Sequence, residues 1–376
     1  MNQQQLPGAH ATKILYEADR LMTVCNSCRY CEGLCAVFPA MEMRRSFSDG
    51  DLNYLANLCH ACGACYTDCQ FSPPHEFNVN VPRTLATARA ESWAAYAWPR
   101  ALSGLFARNG VAVSLICAVS VATFIYGFVI LSDPRVLLGV HTRPGAFYAV
   151  MPHKTMVAVF GLAFLYAIVA LVMGLRAFWR DIGEPSSTLA DPPSLWQAMK
   201  DAGQLRYLDG GGVGCFNEDE RPTDRRKVYH HFAFYGFLLC FASTCVATLY
   251  HYLLAREAPY AGWDLPVVLG TLGGIGLVVG PVGLLVEKLK RDAELVDKAR
   301  SGMDTAFILM LLVTSITGLA LLLWRDTAAM GPLLALHLGV VFALFITLPY
   351  GKFVHGLYRY AALVRYARER RMMGHG

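Results

Sequence analysis

The sequence predicts an all-α protein in two parts, a polar cysteine-rich segment of short helices (residues 1–100) followed by a six-helix transmembrane bundle (residues 101–376). Three observations predict it. Of 376 residues, 55% are hydrophobic and 16% charged, with a mean hydropathy of +0.37, whereas a soluble chain of this length carries more charge. Six apolar stretches follow Pro99, and the residues before it are polar, without the alternating runs of strands. Eight of the twelve cysteines crowd between Cys25 and Cys69. Net charge is +5, but the basic residues sit in loops beside apolar spans, which sets membrane orientation and gives no reason to expect nucleic acid.

The cysteines come first in the chain. Cys25, Cys28, Cys31 and Cys35 follow an x2, x2, x3 spacing, and Cys59, Cys62, Cys65 and Cys69 repeat it. This spacing lets three thiolates wrap one cubane while the fourth turns to a neighbouring cluster. The expectation is an α-helical ferredoxin-like domain with two [4Fe–4S] clusters, one on Cys25, Cys28, Cys31 and Cys69, the other on Cys35, Cys59, Cys62 and Cys65. Zinc is the rival, but structural zinc takes its ligands as separated pairs, and a third cysteine two residues on overfills such a knuckle. Proline lies four positions beyond each fourth cysteine, at Pro39 and Pro73, instead of directly after it as in bacterial ferredoxins. Cys117, Cys215, Cys240 and Cys245 are scattered and read as small apolar residues. Met1 to Lys13 is polar and Gln-rich, without a charged start and apolar run, so the cysteine segment is expected in the cytoplasm, where thiols stay reduced.

The apolar stretches lie near 111–131, 154–175, 230–254, 265–286, 305–324 and 333–355, each long enough to cross roughly 30 Å of hydrocarbon. Segments 176–229, 287–303 and 352–376 hold nineteen Lys and Arg, against five in 132–154, 255–264 and 325–332. Positive loops stay inside, so both termini are expected in the cytoplasm of a multi-pass inner-membrane protein, with 176–229 as its long cytoplasmic loop. Within that loop Leu195, Met199, Ala202 and Leu205 recur at helical spacing, an apolar stripe for the membrane surface or for docking. Gly210, Gly211, Gly212 and Gly214 read as a flexible turn; no Gly-Lys-Ser/Thr follows to make a phosphate loop.

Histidines at membrane edges are candidate haem ligands, because a neutral imidazole binds haem iron and is costly in lipid. His337 and His355 bracket the sixth span, 18 residues apart, which is about five turns on one helix face. His230 and His231 open the third span and His251 closes it; His230 shares a face with His251 more nearly than His231 does. Antiparallel spans three and six would then pair His230 with His355 on the inner side and His251 with His337 on the outer, giving one or two b-type haems, with His231 the alternate to His230. His141 and His153 read as interfacial, and His60 and His75 are unnecessary as cluster ligands.

C-R-Y-C-E-G-L-C-A-V-F-P-A from Cys28, C-Q-F-S-P-P-H-E-F from Cys69 and R-R-K-V-Y-H-H-F from Arg225 resemble the tricarballylate utilization protein B family, also called citrate utilization protein B. The resemblance runs over nearly the whole chain. It implies a membrane electron carrier that reoxidises the flavin of a cytoplasmic FAD-containing dehydrogenase, of the tricarballylate dehydrogenase kind, and passes electrons to the membrane quinone pool. The last span from Leu336 to His355 separately resembles the final haem-binding helix of the nitrate reductase gamma subunit, which implies both of its histidines as ligands. Spacing leaves open the reverse direction, quinol oxidation feeding a cytoplasmic reductase. It also leaves a transporter with an iron–sulfur regulatory domain, for which Pro281 among the fourth span's glycines is the one favourable feature. No Ser/His/Asp or paired-carboxylate arrangement points to hydrolysis.

Overall fold

A computed structural model describes residues 10–297 and 301–374, so most of the polar start, residues 1–9, lies outside the described residues. In chain order the helices are α1 (Lys13–Cys28), α2 (Val37–Glu42), α3 (Asp49–Leu58), α4 (Ala64–Thr67), α5 (Val81–Tyr96), α6 (Asn109–Leu131), α7 (Pro134–Leu137), α8 (Ala146–Val150), α9 (His153–Asp181), α10 (Pro192–Gly203), α11 (Arg225–Leu254), α12 (Leu265–Leu289), α13 (Ser301–Trp324), α14 (Met330–Thr347) and α15 (Val354–Met372). Two two-residue strands, β1 (Cys215–Phe216) and β2 (Pro222–Thr223), pair antiparallel with Cys215 opposite Thr223. The all-α reading holds, with this small ladder added.

The N-terminal helices are locally specified. Thr12 caps α1, Ser48 and Asp51 form a reciprocal capping box on α3, and Asn80 caps α5 just before Pro82. Arg29, with φ 55°, ends α1 and turns the chain back between Cys28 and Cys31. α1, α3 and α5 pack around Leu21, Leu52, Leu55, Leu85 and Trp93, all at most 1% exposed. The Trp93 indole N–H donates to the Asn57 amide oxygen at 2.9 Å, so this polar edge in the core is satisfied.

α6, α9, α11, α12, α13 and α14 with its following turn are long and apolar enough to cross a membrane. Leu115, Val119, Leu162 and Leu165 stay more than half exposed on their outer faces, as hydrocarbon-facing side chains do. α14 packs against α6, α9 and α13, and α12 lies between α11 and α13. Glycines make the α11–α12 contact close: a Cβ on Gly280 would stand 2.5 Å from the Ala233 nitrogen, and one on Gly276 would stand 3.0 Å from the Phe232 oxygen. The glycines beside Pro281 therefore serve helix packing.

The sixth apolar stretch is not one helix. α14 ends at Thr347, a 3-10 turn with Pro349 in its first positions covers Leu348–Tyr350, and Gly351 is fully extended before α15 begins. Proline lacks the N–H that would continue the ladder, and the extended glycine redirects the chain. The 3.6-residue count from His337 to His355 therefore does not carry across. The break is anchored where the Asn109 amide donates to the Tyr350 carbonyl at 2.5 Å and the Tyr350 hydroxyl donates to that of Trp98 at 2.9 Å.

α15 runs back over the cysteine domain and is its strut. Arg44 pairs with Asp51 and Glu369, Arg365 pairs with Asp51 and Glu369, and both guanidinium groups lie over the Tyr54 ring, at 4.9 and 4.4 Å from its centre. α10 docks on α15 with Ser194, Ala198 and Asp201 buried and Leu195 and Ala202 of the expected stripe partly buried beside them; Met199 is exposed and the helix stops at Gly203, before Leu205. Small residues permit the close approach that leucines would block.

Candidate functional site

The cysteine loops meet in two sets. Cys25, Cys28, Cys31 and Cys69 surround a cavity of about 30 Å³ closed by Phe38 and Phe71, with Cys65 on its far wall. Cys35, at the mouth of α2, faces Cys59 and Cys62 closely enough for their charges to repel, and Cys65 is repelled by all three. Burial first, then mutual repulsion, pushes the Cys25 and Cys31 thiols up to about 12 and Cys62 up to about 11. Thiols so crowded stay neutral unless positive charge gathers their anions. Among the described residues, no three His, Cys, Asp or Glu side chains converge as they must around a single ion. A cubane is wider than one ion and spaces its sulfurs further apart, so the all-sulfur sets fit iron–sulfur clusters.

Long-range contacts fix the second set. The Phe216 N–H donates to the Cys62 carbonyl at 2.9 Å, tying the β-ladder to the cysteine loop. The glycine turn is built, not flexible: the Gly214 N–H donates to the Asp209 carbonyl at 2.7 Å, and Lys227 pairs with the Asp209 carboxylate at 2.7 Å. A Cβ on Gly211, φ +82°, would stand 2.1 Å from the Leu34 carbonyl oxygen, next to Cys35.

Beneath this loop lies a cavity of about 500 Å³, walled by α11, α12, α13 and α15. Its walls include His60, His230 and His355, with Phe234, Phe237 and Leu311 toward the bundle. The His230 and His355 ring centres are 6.0 Å apart at 78°. Two imidazoles on opposite sides of one metal would have centres separated by about 6 Å, given bonds of about 2 Å and ring radii of about 1 Å. His355 Nδ1 bonds the Lys352 carbonyl at 2.5 Å, which leaves Nε2 free, and His230 Nδ1 is buried with no hydrogen-bond partner. His231 instead stacks on Tyr235 at 5.9 Å. The volume, the paired imidazoles and the apolar floor fit a haem.

The outer histidines are placed differently from the expected pairing. His251 stacks on His153, with ring centres 3.9 Å apart, and His337 Nδ1 bonds the Thr317 hydroxyl at 3.0 Å beside Gly318. Parallel stacking at that distance leaves no room for a metal between the rings. His251 thus has as its neighbour a residue read as merely interfacial, because the α8–α9 turn folds back toward the end of α11.

His60 is the residue that sequence reasoning passed over. It is 9% exposed, lies between Cys59 and Cys62, and faces the cavity that also holds His230 and His355. Burial, reinforced by Arg359, Arg226 and Arg89, keeps its imidazole neutral. The C-H-A-C spacing was visible; the cavity beneath it depends on helices far along the chain.

Six apolar spans and an eight-cysteine helical domain define a multi-pass membrane protein with an iron–sulfur-type domain. Residues 18–95 match the family described as citrate utilization protein B Fer4-like domain, and residues 104–376 match that described as citrate utilization protein B. The chain belongs to the citrate utilization protein B family. It is 50% identical over 359 residues to citrate utilization protein B of Escherichia coli, covering 94% of this chain and 92% of that protein. No solved structure matches it.

Proposed function

We propose that this chain is a membrane electron-transfer protein linking a cytoplasmic FAD-containing dehydrogenase of the tricarballylate type to the quinone pool. Cys25, Cys28, Cys31 and Cys69 would hold one [4Fe–4S] cluster, Cys35, Cys59, Cys62 and Cys65 the second, and His230 with His355 a haem b. When bound, these groups supply one-electron transfer; the chain supplies position, charge and exclusion of water. The observation that carries the reading is the juxtaposition of an all-thiol set, Cys35, Cys59, Cys62 and Cys65, with a cavity holding two facing imidazoles 6.0 Å apart.

The chain's own residues favour entry at the first cysteine set. Cys28 is exposed and Tyr30 beside it is 73% exposed, so a soluble donor can approach within contact of that set. The second set is covered by the glycine turn, the β-ladder and α15. The basic loops 225–227 and 288–291 lie at the end of the bundle that carries the cysteine domain, which supports a cytoplasmic position for that domain. The reading carries one haem, because the walls of the cavity of about 500 Å³ include His230 and His355 but neither His251 nor His337.

The test is anaerobic purification followed by acid-labile sulfide and iron analysis and a reduced-minus-oxidised visible spectrum. The expected result is nine iron per chain, eight in the clusters and one in the haem, and eight sulfide, with a b-type α band at one haem per chain. Absence of sulfide would overturn the cluster reading. Absence of the α band would overturn the haem and point to the cavity as a quinone site.

A further inference from the structure

Four arginines from four separate parts of the chain converge on one short stretch of backbone. Arg226 of α11 donates to the carbonyls of Ala61 and His60, both at 3.2 Å. Arg291, just beyond α12, donates to Ala61 at 2.5 Å. Arg359 of α15 donates to the carbonyls of Cys59 at 2.8 Å and Asn57 at 3.3 Å. Arg89 of α5 donates to Cys59 and, at 3.2 Å, to Ala56. Every acceptor lies in the last turn of α3 or in the loop that carries Cys59 and Cys62. One or two cations at a helix C-terminus are ordinary capping; four are more than capping needs.

Their charge is not spent on carboxylates. Among the described residues none of the four forms an ion pair. Asp304, the carboxylate whose charge acts on both Arg89 and Arg291, pairs with Lys352 at 2.8 Å. The first cysteine set has the opposite surroundings: Asp68 adds repulsion at Cys31, and Glu32 and Glu42 lie close together beside Arg29.

Resting on the function proposed above, we infer that Arg89, Arg226, Arg291 and Arg359 form a cationic clamp that raises the reduction potential of the cluster on Cys35, Cys59, Cys62 and Cys65 above that of the other. Cluster potentials follow net charge, hydrogen bonding and exposure. Reduction adds one negative charge, which nearby guanidinium groups favour. Burial alone would oppose it, by removing water from the more charged form, but burial also leaves the four cations unscreened. The electron that reduces the second cluster comes from the first, which is reoxidised, and no further reactant is needed. The fold thereby biases electrons toward the cavity with His230 and His355, the direction from flavoprotein to quinone.

The test is a redox titration of the full-length protein in detergent, followed by electron paramagnetic resonance of each cluster, with iron and sulfide content measured for every variant. Two signals should appear, the higher-potential one responding to substitution in the clamp. In Arg226→Gln its reduced-to-oxidised ratio at fixed solution potential should fall by about tenfold, while the other signal stays in place. Arg226→Lys keeps the charge and should restore most of the shift. If Arg226→Gln lowers sulfide content, the exposed Glu32→Gln supplies the second measurement: it should raise the lower-potential signal and narrow the gap. Equal potentials, or an Arg226→Gln response in the lower-potential signal, would overturn the inference and leave the clusters standing. Absence of both signals and of sulfide would overturn the function on which it rests.

Discussion

At the scale of single residues, the facing imidazoles make a discriminating prediction. His355 is oriented by its bond to the Lys352 carbonyl and His230 shares the cavity with it, while His231 stacks on Tyr235 outside. Removing one axial ligand of a metal costs at least the 10- to 100-fold in affinity that loss of its supporting bond costs. His230→Ala and His355→Ala should each lose the b-type α band in the reduced-minus-oxidised spectrum by about tenfold or more, and His231→Ala should keep it. Loss of the band in His231→Ala alone would reverse the assignment. Gly211 offers a second prediction. Alanine at Gly211 or Gly212 bears the same kind of strain, since φ is +82° at one and +111° at the other, but only Gly211 would drive a Cβ into the Leu34 carbonyl. Gly212→Ala should cost about 1–3 kcal/mol of backbone strain. Gly211→Ala should cost more and also lower iron content, because Leu34 leads directly into Cys35. Equal iron content in the two variants would show that the turn does not shape the thiol site.

At the scale of elements, the α11–α12 pair rests on glycines whose Cβ space is already taken by backbone. Gly280→Leu must separate the helices and shift one wall of the cavity, with an expected loss of about 1–3 kcal/mol from overpacking. Gly161→Leu on α9, where a Cβ meets nothing within 4 Å, should leave the melting temperature unchanged. The same scale explains what could be read from the amino acids. The six spans were legible because bilayer thickness sets their length and lipid forbids charge within them, both properties of composition. The gathering of the eight cysteines into two sets was legible because their spacing is local and repeated. The break after Thr347 was signalled by Pro349, yet a helical count that assumed an unbroken span carried through it. The α10 contact was legible only in part: apolar periodicity marked Leu195 and Ala202, which pack against the core, but missed Ser194 and Ala198, which close packing buries more deeply. The arginine clamp and the exposure of His60 to the cavity had no local signal, since Arg89, Arg226, Arg291 and Arg359 meet only when four distant segments fold over one loop.

At the scale of the whole molecule, the question is what holds a polar domain against a membrane bundle in one arrangement. α15 does so through charge placed in partly buried positions. Glu369 accepts from Arg44 at 2.5 Å, from the Tyr54 hydroxyl at 3.0 Å and from Arg365 at 2.8 Å. The side chains of Arg44, Arg365 and Glu369 are 9%, 12% and 16% exposed, so their interactions escape most of the screening that weakens surface pairs. Glu369→Gln keeps the shape but leaves two nearly buried guanidinium groups sharing Asp51 and, for Arg365, Glu184. The expected loss is about 1–3 kcal/mol, from unpaired buried charge. It should fall on the interface between the parts, because Tyr54 and Arg44 belong to the cysteine domain and Arg365 to α15. Limited proteolysis in the reduced, anaerobic state should therefore cut the stretch between α5 and α6 faster in Glu369→Gln than in the parent chain. The haem α band should meanwhile be retained, because His230 and His355 lie beyond the network. Simultaneous loss of the α band and of proteolytic resistance would mean that the strut and the cavity form one cooperative unit. Unchanged proteolysis would mean that the apolar contacts around Tyr96, Phe178 and Tyr358 hold the domain without help from charge.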